Sequence, residues 1–312
     1  MSDNSFKVTV IIPFFNAAKY VKDAAESVLS LEEVGEVLMV DDGSQDDSFE
    51  ICKKIENDFT KVRVLQHDDK GNHGPSASRN LGIKNSSCDY VSFLDADDYY
   101  LPCRFKSEKF IFENQPDVEV VYGCSYTIFI TKDGEKKYYS YEQSNIYTLS
   151  DRVAPEKLFK ALLFYSHGRL HTSAITIKKS AFVKTGLFNT KLKWAEDTEL
   201  WLKLALKTKM VGGNIESPIS LRRIHDNNIV HQTDKAQHFK IKMYQSLLNW
   251  SMKEKYPFMV VNDIFNAYKN YMSDKFPLIS EKKLFWGLLK SNKSILGNSF
   301  FWKKLKLVYL RP

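Results

Sequence analysis

Four short runs of β-branched and aromatic residues, at positions 8–12, 36–40, 62–66 and 90–94, recur through the N-terminal third of the chain. The segments between them, 19–30, 49–58 and 77–86, place apolar residues at helical spacing. A near-continuous apolar run fits a strand covered on both faces, and strands that alternate with helices fit a parallel sheet joined by right-handed crossovers. This alternation predicts an α/β chain. A hydrophobic content of 43% over 312 residues supplies the core that such a sheet needs.

In open α/β sheets ligands gather at the carboxyl ends of the strands, so the residues there carry the chemistry. The first run ends at Pro13, followed by Phe14, Phe15 and Asn16; neither GxGxxG nor GxxxxGK[ST] follows it. A dinucleotide-binding domain and a P-loop enzyme are both disfavoured. The second run ends in Asp41-Asp42-Gly43-Ser44, with 44–48 expected to cap the next helix. Asp42 there has two readings, an acceptor for a base imide or ribose hydroxyl, and a helix-capping turn. The third leads to a loop of turn formers, 71–76, and then to Ala77-Ser78-Arg79-Asn80-Leu81-Gly82. Arg79 is read as a partner for a diphosphate or for an acidic loop, and His67 and His73 as exposed loop residues. The fourth ends in Asp95-Ala96-Asp97-Asp98. Crowded carboxylates resist ionisation unless neutralised, and an oxygen-donor set suits Mg²⁺ or Mn²⁺. An acidic turn capping the next helix is the other reading of this loop. Two acidic motifs on one sheet edge favour the ligand site.

The motifs 10–16, 40–44, 72–82 and 93–98 with Leu101-Pro102, in this order and spacing, resemble the inverting family 2 glycosyltransferases, with Phe15 where the family usually has Tyr. The resemblance implies an A-type glycosyltransferase fold, a mostly parallel central sheet flanked by helices, over 1–230. A basic, aromatic helical extension would follow over 231–312. It further implies a nucleotide-sugar donor contacted by Pro13, Phe14, Asn16, Asp42, Arg79, Asp95, Ala96 and Asp97, and Mn²⁺ or Mg²⁺ held by Asp97, Asp98 and His225. The Glu-Asp pair in Trp194-Ala195-Glu196-Asp197 matches the family's catalytic motif. Asp197 is then the general base, with Glu196 and Trp194 at the acceptor. From the residues alone, two acids in a helix's first turn also simply suit its dipole. Arg222 or Arg223 is expected to assist the diphosphate.

Between these motifs, 118–130 reads as strands, Lys132-Asp133-Gly134-Glu135 as a hairpin turn, 138–147 as an exposed extended segment and 156–164 as a helix. The 167–172 loop lines the donor-sugar pocket or is a structural turn. It precedes a strand at 173–178, a helix beginning at 179 and a last strand at 218–225. Helical patterns return at 238–252, 257–272 and 281–289. Residues 281–312 hold eight Lys or Arg and one Glu, which accounts for the whole net charge of +7. Basic and aromatic residues together suit an anionic membrane surface or packing on protein. No nucleic-acid motif accompanies them, so no nucleic-acid partner is expected.

The four cysteines are scattered without CxxC spacing, positions 1–7 lack the apolar core of a leader peptide, and no run is long enough to span a bilayer. A cytoplasmic protein, peripheral on the inner membrane face, is expected. The function implied is inverting transfer of a sugar, from UDP-hexose or UDP-N-acetylhexosamine, to a glycan or lipid-linked glycan in bacterial surface polysaccharide synthesis. A nucleotidyltransferase and a non-catalytic nucleotide-sugar-binding protein are the alternatives.

Overall fold

The computed structural model describes residues 6–140, 144–225, 233–275 and Lys303. It divides into two units, Met1–His231 and Gln232–Pro312. The first opens with β1 (Val8–Phe14), α1 (Val21–Leu29), β2 (Val34–Asp41), α2 (Ser48–Asp58), β3 (Val62–Gln66), α3 (Pro75–Asn85) and β4 (Tyr90–Phe93). It continues with β5 (Tyr99–Tyr100), α4 (Lys106–Asn114), β6 (Val118–Tyr122), β7 (Cys124–Phe129), α5 (Lys132–Tyr139), β8 (Ile146–Tyr147) and α6 (Pro155–Leu163). After a 3-10 turn at Thr172–Ala174 come β9 (Ile175–Lys178), α7 (Ala181–Thr185), α8 (Glu196–Lys207), β10 (Lys209–Gly212) and β11 (Pro218–Ile224).

The main sheet has the order β10-β6-β9-β4-β1-β2-β3, with β9 alone antiparallel to its neighbours among the described residues. Every residue of β1 is buried, as its unbroken apolar run requires of a strand covered on both faces. On one side α1 buries Val21, Ala24, Ala25 and Val28, the stripe its period dictates. Close packing of α3 on β1 depends on Gly82, where an added Cβ would meet the Ile11 side chain at 2.5 Å. A second, smaller sheet, β5-β11-β7-β8, lies beyond the end of β4, with β5 following the acidic loop directly.

Two local expectations fail. The 132–135 segment is not a hairpin turn but the start of α5. Thr131 is the helix N-cap and its hydroxyl accepts from Gly134 N at 3.0 Å. Asp133 and Glu135 sit in the first turn and Lys136 and Lys137 in the last, each at the end the helix dipole favours. Consequently Tyr138, expected in an exposed extended segment, is fully buried, and among the described residues of that segment only Ile146–Tyr147 forms strand.

The second unit contains α9 (Thr233–Lys253) and α10 (Phe258–Lys275), which contact each other. Buried residues include Met243, Tyr244, Leu247 and Leu248 on α9 and Val261, Ile264, Phe265 and Tyr268 on α10. The 281–289 helix and the basic tail lie outside the described residues. No described helix is long and apolar enough to cross a membrane.

Candidate active site

The loops after β1 and β2 are laced together. Asn16, held at φ 49°, accepts from Gln45 N through Oδ1 at 2.7 Å, and its own N–H donates to Ser44 Oγ. Ala17 N donates to Ser48 Oγ at 2.7 Å and Ala18 N to Asp46 Oδ2 at 3.1 Å. Residues 44–48 thus tie the neighbouring loop, and the N-cap of α2, Asp47, makes no side-chain capping bond. Pro13 and Phe14 are buried in β1, so the Phe14 ring faces the core; its carbonyl accepts from Asp42 N. The exposed aromatic at this edge is Phe15.

Asp42 is 4% exposed. Its Oδ1 accepts from His73 N at 2.9 Å and Ser78 Oγ at 3.0 Å, and its Oδ2 from Gly74 N at 2.9 Å. A carboxylate has about four acceptor positions, so Asp42 anchors the 73–78 segment and retains capacity for roughly one further donor. Gly43 makes this possible: at φ 81° a Cβ there would lie 2.9 Å from Gly71 C and Lys70 O. His67 is half-buried, not an exposed loop residue, because Nε2 meets Ser78 Oγ at 3.0 Å.

The acidic loop leaves β4 with three different environments. Asp95 is half-buried and paired with Arg79, while Ala96 is buried. Asp97 faces His225, whose Nε2 lies 3.1 Å from Asp97 Oδ2. Asp98 is 2% exposed and turned inward. Its Oδ1 accepts from Arg223 N at 3.0 Å and its Oδ2 from Ser173 Oγ at 3.2 Å. Burial, with Asp97 and Asp95 nearby, pushes the Asp98 carboxyl well above the usual range.

A second ligand set includes a residue that the family resemblance did not supply. Ligand atoms of Asp95, Asp98 and His171 all lie within 4.8 Å of one another. His171 Nδ1 accepts from Ser173 N at 3.3 Å, and burial, reinforced by Arg222, pushes its pKa down to about 3, keeping the imidazole neutral. Carboxylate oxygens with a neutral imidazole are donors that Mn²⁺ and Mg²⁺ accept, so both this set and Asp97 with His225 suit such a cation. Arg222 and Arg223 diverge. Arg222 Nη1 donates to Tyr147 Oη at 3.0 Å, whereas Arg223 Nη1 donates to Asp23 Oδ2 at 2.8 Å and its Nε to the Asp97 carbonyl.

Arg79 joins this loop to the distant Glu-Asp motif. Its Nη2 donates to Asp95 Oδ1 at 2.7 Å and its Nη1 to Glu196 Oε1 at 3.0 Å. Burial alone would lower its pKa, but Asp95, Glu196 and Asp197 raise it. The neighbouring Asn80 secures the approach: its amide bonds both the carbonyl and the N–H of Phe188, at 2.8 and 3.0 Å. Glu196 and Asp197 occupy the first turn of α8, behind Ala195, which is left-handed at φ 61°. Glu196 is buried; burial and then Asp197 raise its pKa to about 7 against the opposing pull of Arg79. Asp197 is half-buried, its Oδ1 accepting from Thr198 N and Oγ1, and Trp194 is likewise half-buried.

Beneath these loops lies a buried cation that has no sequence signature. Arg104, fully buried with Glu108, donates to the Ser173 and Ile175 carbonyls and to Ser92 Oγ. It binds β4 to the segment carrying His171 and Ser173.

The model for glycosyl transferase family 2 matches residues 9–182. An uncharacterized glycosyltransferase of Rickettsia typhi is 28% identical over 263 residues, covering 81% of this chain and 74% of its own length. The minor teichoic acid biosynthesis protein GgaA of Bacillus subtilis is 28% identical over 269 residues, covering 83% of this chain and 55% of its own. Among solved structures, S. aureus TarS 1-349 in complex with UDP-GlcNAc superposes with a TM-score of 0.60 at 16% identity, over 86% of this chain and 81% of that one. The sheet and its flanking helices therefore form an A-type glycosyltransferase fold, and the chain belongs to glycosyl transferase family 2.

Proposed function

We propose that this chain is a metal-dependent inverting glycosyltransferase, moving a hexose or N-acetylhexosamine from a UDP-sugar to a hydroxyl of a cell-surface glycan. The observation that carries this is the Arg79 bridge. Two acidic motifs about a hundred residues apart in sequence meet through one guanidinium, Asp95 on one side and Glu196, next to Asp197, on the other. A donor site and an acceptor site are thereby adjacent.

On the donor side the base lies against Phe15, and its imide N–H donates to the acceptor position left on Asp42. Asp97 and His225 would hold the divalent cation, while Asp98, 2% exposed and turned inward, would hold the loop through its bonds to Arg223 N and Ser173 Oγ. A cation held there would neutralise charge on the diphosphate. Arg222, on the side of Asp95 and Asp98, adds positive charge there, while Arg223 is occupied with Asp23 and the acidic loop. At the acceptor, Asp197 takes the proton of the attacking hydroxyl as the new bond forms at the anomeric carbon. The bond to UDP breaks and the diphosphate leaves with its electron pair. A single displacement inverts the centre and needs no second, nucleophilic carboxylate. Glu196 and Trp194 flank the acceptor.

The UDP-GlcNAc complex of TarS supports a UDP-sugar donor, and the name of GgaA supports a surface-polymer acceptor. The basic tail would hold the enzyme on an anionic membrane surface at its cytoplasmic face; sedimentation with anionic vesicles with and without 281–312 tests that. For the reaction, the protein is incubated with Mn²⁺ and UDP-GlcNAc, UDP-glucose or UDP-galactose, and the released sugar is followed by NMR. Release of UDP with inversion, slowed about 10²- to 10⁴-fold in Asp197→Asn, is expected. Failure to turn over any UDP-sugar, or retention, contradicts the proposal.

A further inference from the structure

We infer that Tyr20, just before α1, is a positioning residue for His225. The inference rests on the reading of Asp97 and His225 as the cation's ligands. Tyr20 and His225 stack with ring centroids 4.7 Å apart and planes inclined by 25°. The Arg223 guanidinium lies 4.9 Å from the Tyr20 ring centroid and also contacts Tyr99 at 5.3 Å. Arg223 Nη2 reaches the Tyr20 carbonyl at 3.5 Å, and its Nη1 pairs with Asp23 three residues on.

The start of α1 is thereby fastened to the end of β11 and to the acidic loop. The stacked ring fixes the plane of the imidazole that meets Asp97. A histidine that meets a cation gains affinity when its ring orientation is fixed beforehand, and losing such support commonly costs about 10- to 100-fold in metal affinity. The ring contributes the stacking face, so phenylalanine should serve as well as tyrosine.

The test is Mn²⁺ affinity of the UDP-saturated protein, read from the electron paramagnetic resonance of free Mn²⁺. The variants are Tyr20→Leu, Tyr20→Phe, His225→Ala and the Leu/Ala double variant. Tyr20→Leu is expected to weaken Mn²⁺ about 10-fold or more, and Tyr20→Phe to leave it unchanged. The double variant should bind no more weakly than His225→Ala, since Tyr20 acts through that ring. Should Tyr20→Leu not fold, Tyr20→Met, which fills space without a ring plane, takes its place. Wild-type affinity in Tyr20→Leu alongside weakened His225→Ala overturns the inference alone. So does additivity in the double variant. Unchanged affinity in His225→Ala overturns the ligand reading, and the inference with it.

Discussion

The acidic loop after β4 and the first turn of α8 solve one problem in two ways. Each presents adjacent carboxylates, Asp97 with Asp98 and Glu196 with Asp197. In each, one acid is buried and bonded to the scaffold while its neighbour stays partly exposed. Asp98 is held by a backbone amide and a hydroxyl, and Glu196 by the Arg79 guanidinium. Burial and the neighbour's charge raise the pKa of both. The difference lies in the counter-charge. Glu196 has a direct cationic partner; Asp98 has only neutral donors, beside a loop that suits a cation. Sequence adjacency thus pairs an acid buried and bonded to the scaffold with one left partly exposed.

Substituting the two partly exposed acids, which the proposed function sets at the cation and at the acceptor, separates the pair most sharply. Asp197→Asn is expected to lower turnover about 10²- to 10⁴-fold, the usual worth of a positioned base, with an unchanged melting temperature; both are read on the same preparation. Asp97→Asn removes a proposed direct ligand and should weaken Mn²⁺ by at least the roughly 10- to 100-fold that losing an outer-shell partner costs, measured with UDP present. The holding acids should act on stability instead. Asp98→Ala leaves the Arg223 amide and the Ser173 hydroxyl without their acceptor, and each orphaned buried group costs about 1–3 kcal/mol, a loss read by urea denaturation.

Glu196 supplies the smallest and most diagnostic effect. Its folded pKa of about 7 exceeds the usual glutamate value of 4.5. Between these values the folded state keeps a proton that the unfolded chain has lost. Stability therefore falls as pH rises from about 4.5 to 7 and levels above that. Glu196→Gln should abolish that part of the slope, and identical pH profiles for both proteins would remove Glu196 as its source.

Much of the fold was legible because buried parallel strands write themselves as unbroken β-branched runs. Positions 8–12 and 90–94 needed no tertiary context. The 132–135 segment misled because Asp-Gly favours turns, whereas the cap supplied by Thr131 makes it a helix start. The strands β5 and β10 are too short to leave a period. In the site, the acids at the ends of β2 and β4 stood out from their place in the pattern, whereas the roles of Glu196, Asp197 and His225 came from the family resemblance. Their supports did not stand out. Ser173, Tyr20 and Arg104 reach the acidic loop from distant parts of the chain or through buried intermediates, and a lone Ser, Tyr or Arg carries no local signature. His171 lay in a segment singled out at 167–172, but nothing local directed it toward Asp95.

The most direct test of the central claim is calorimetric titration with UDP, with and without Mn²⁺, on the wild type, Asp97→Asn and Asp98→Asn. The account predicts Mn²⁺-dependent UDP binding that Asp97→Asn weakens and Asp98→Asn largely spares, because asparagine still offers the oxygen that accepts from Arg223. UDP binding indifferent to Mn²⁺, or equal losses in the two variants, would contradict the division between a holding and a working acid.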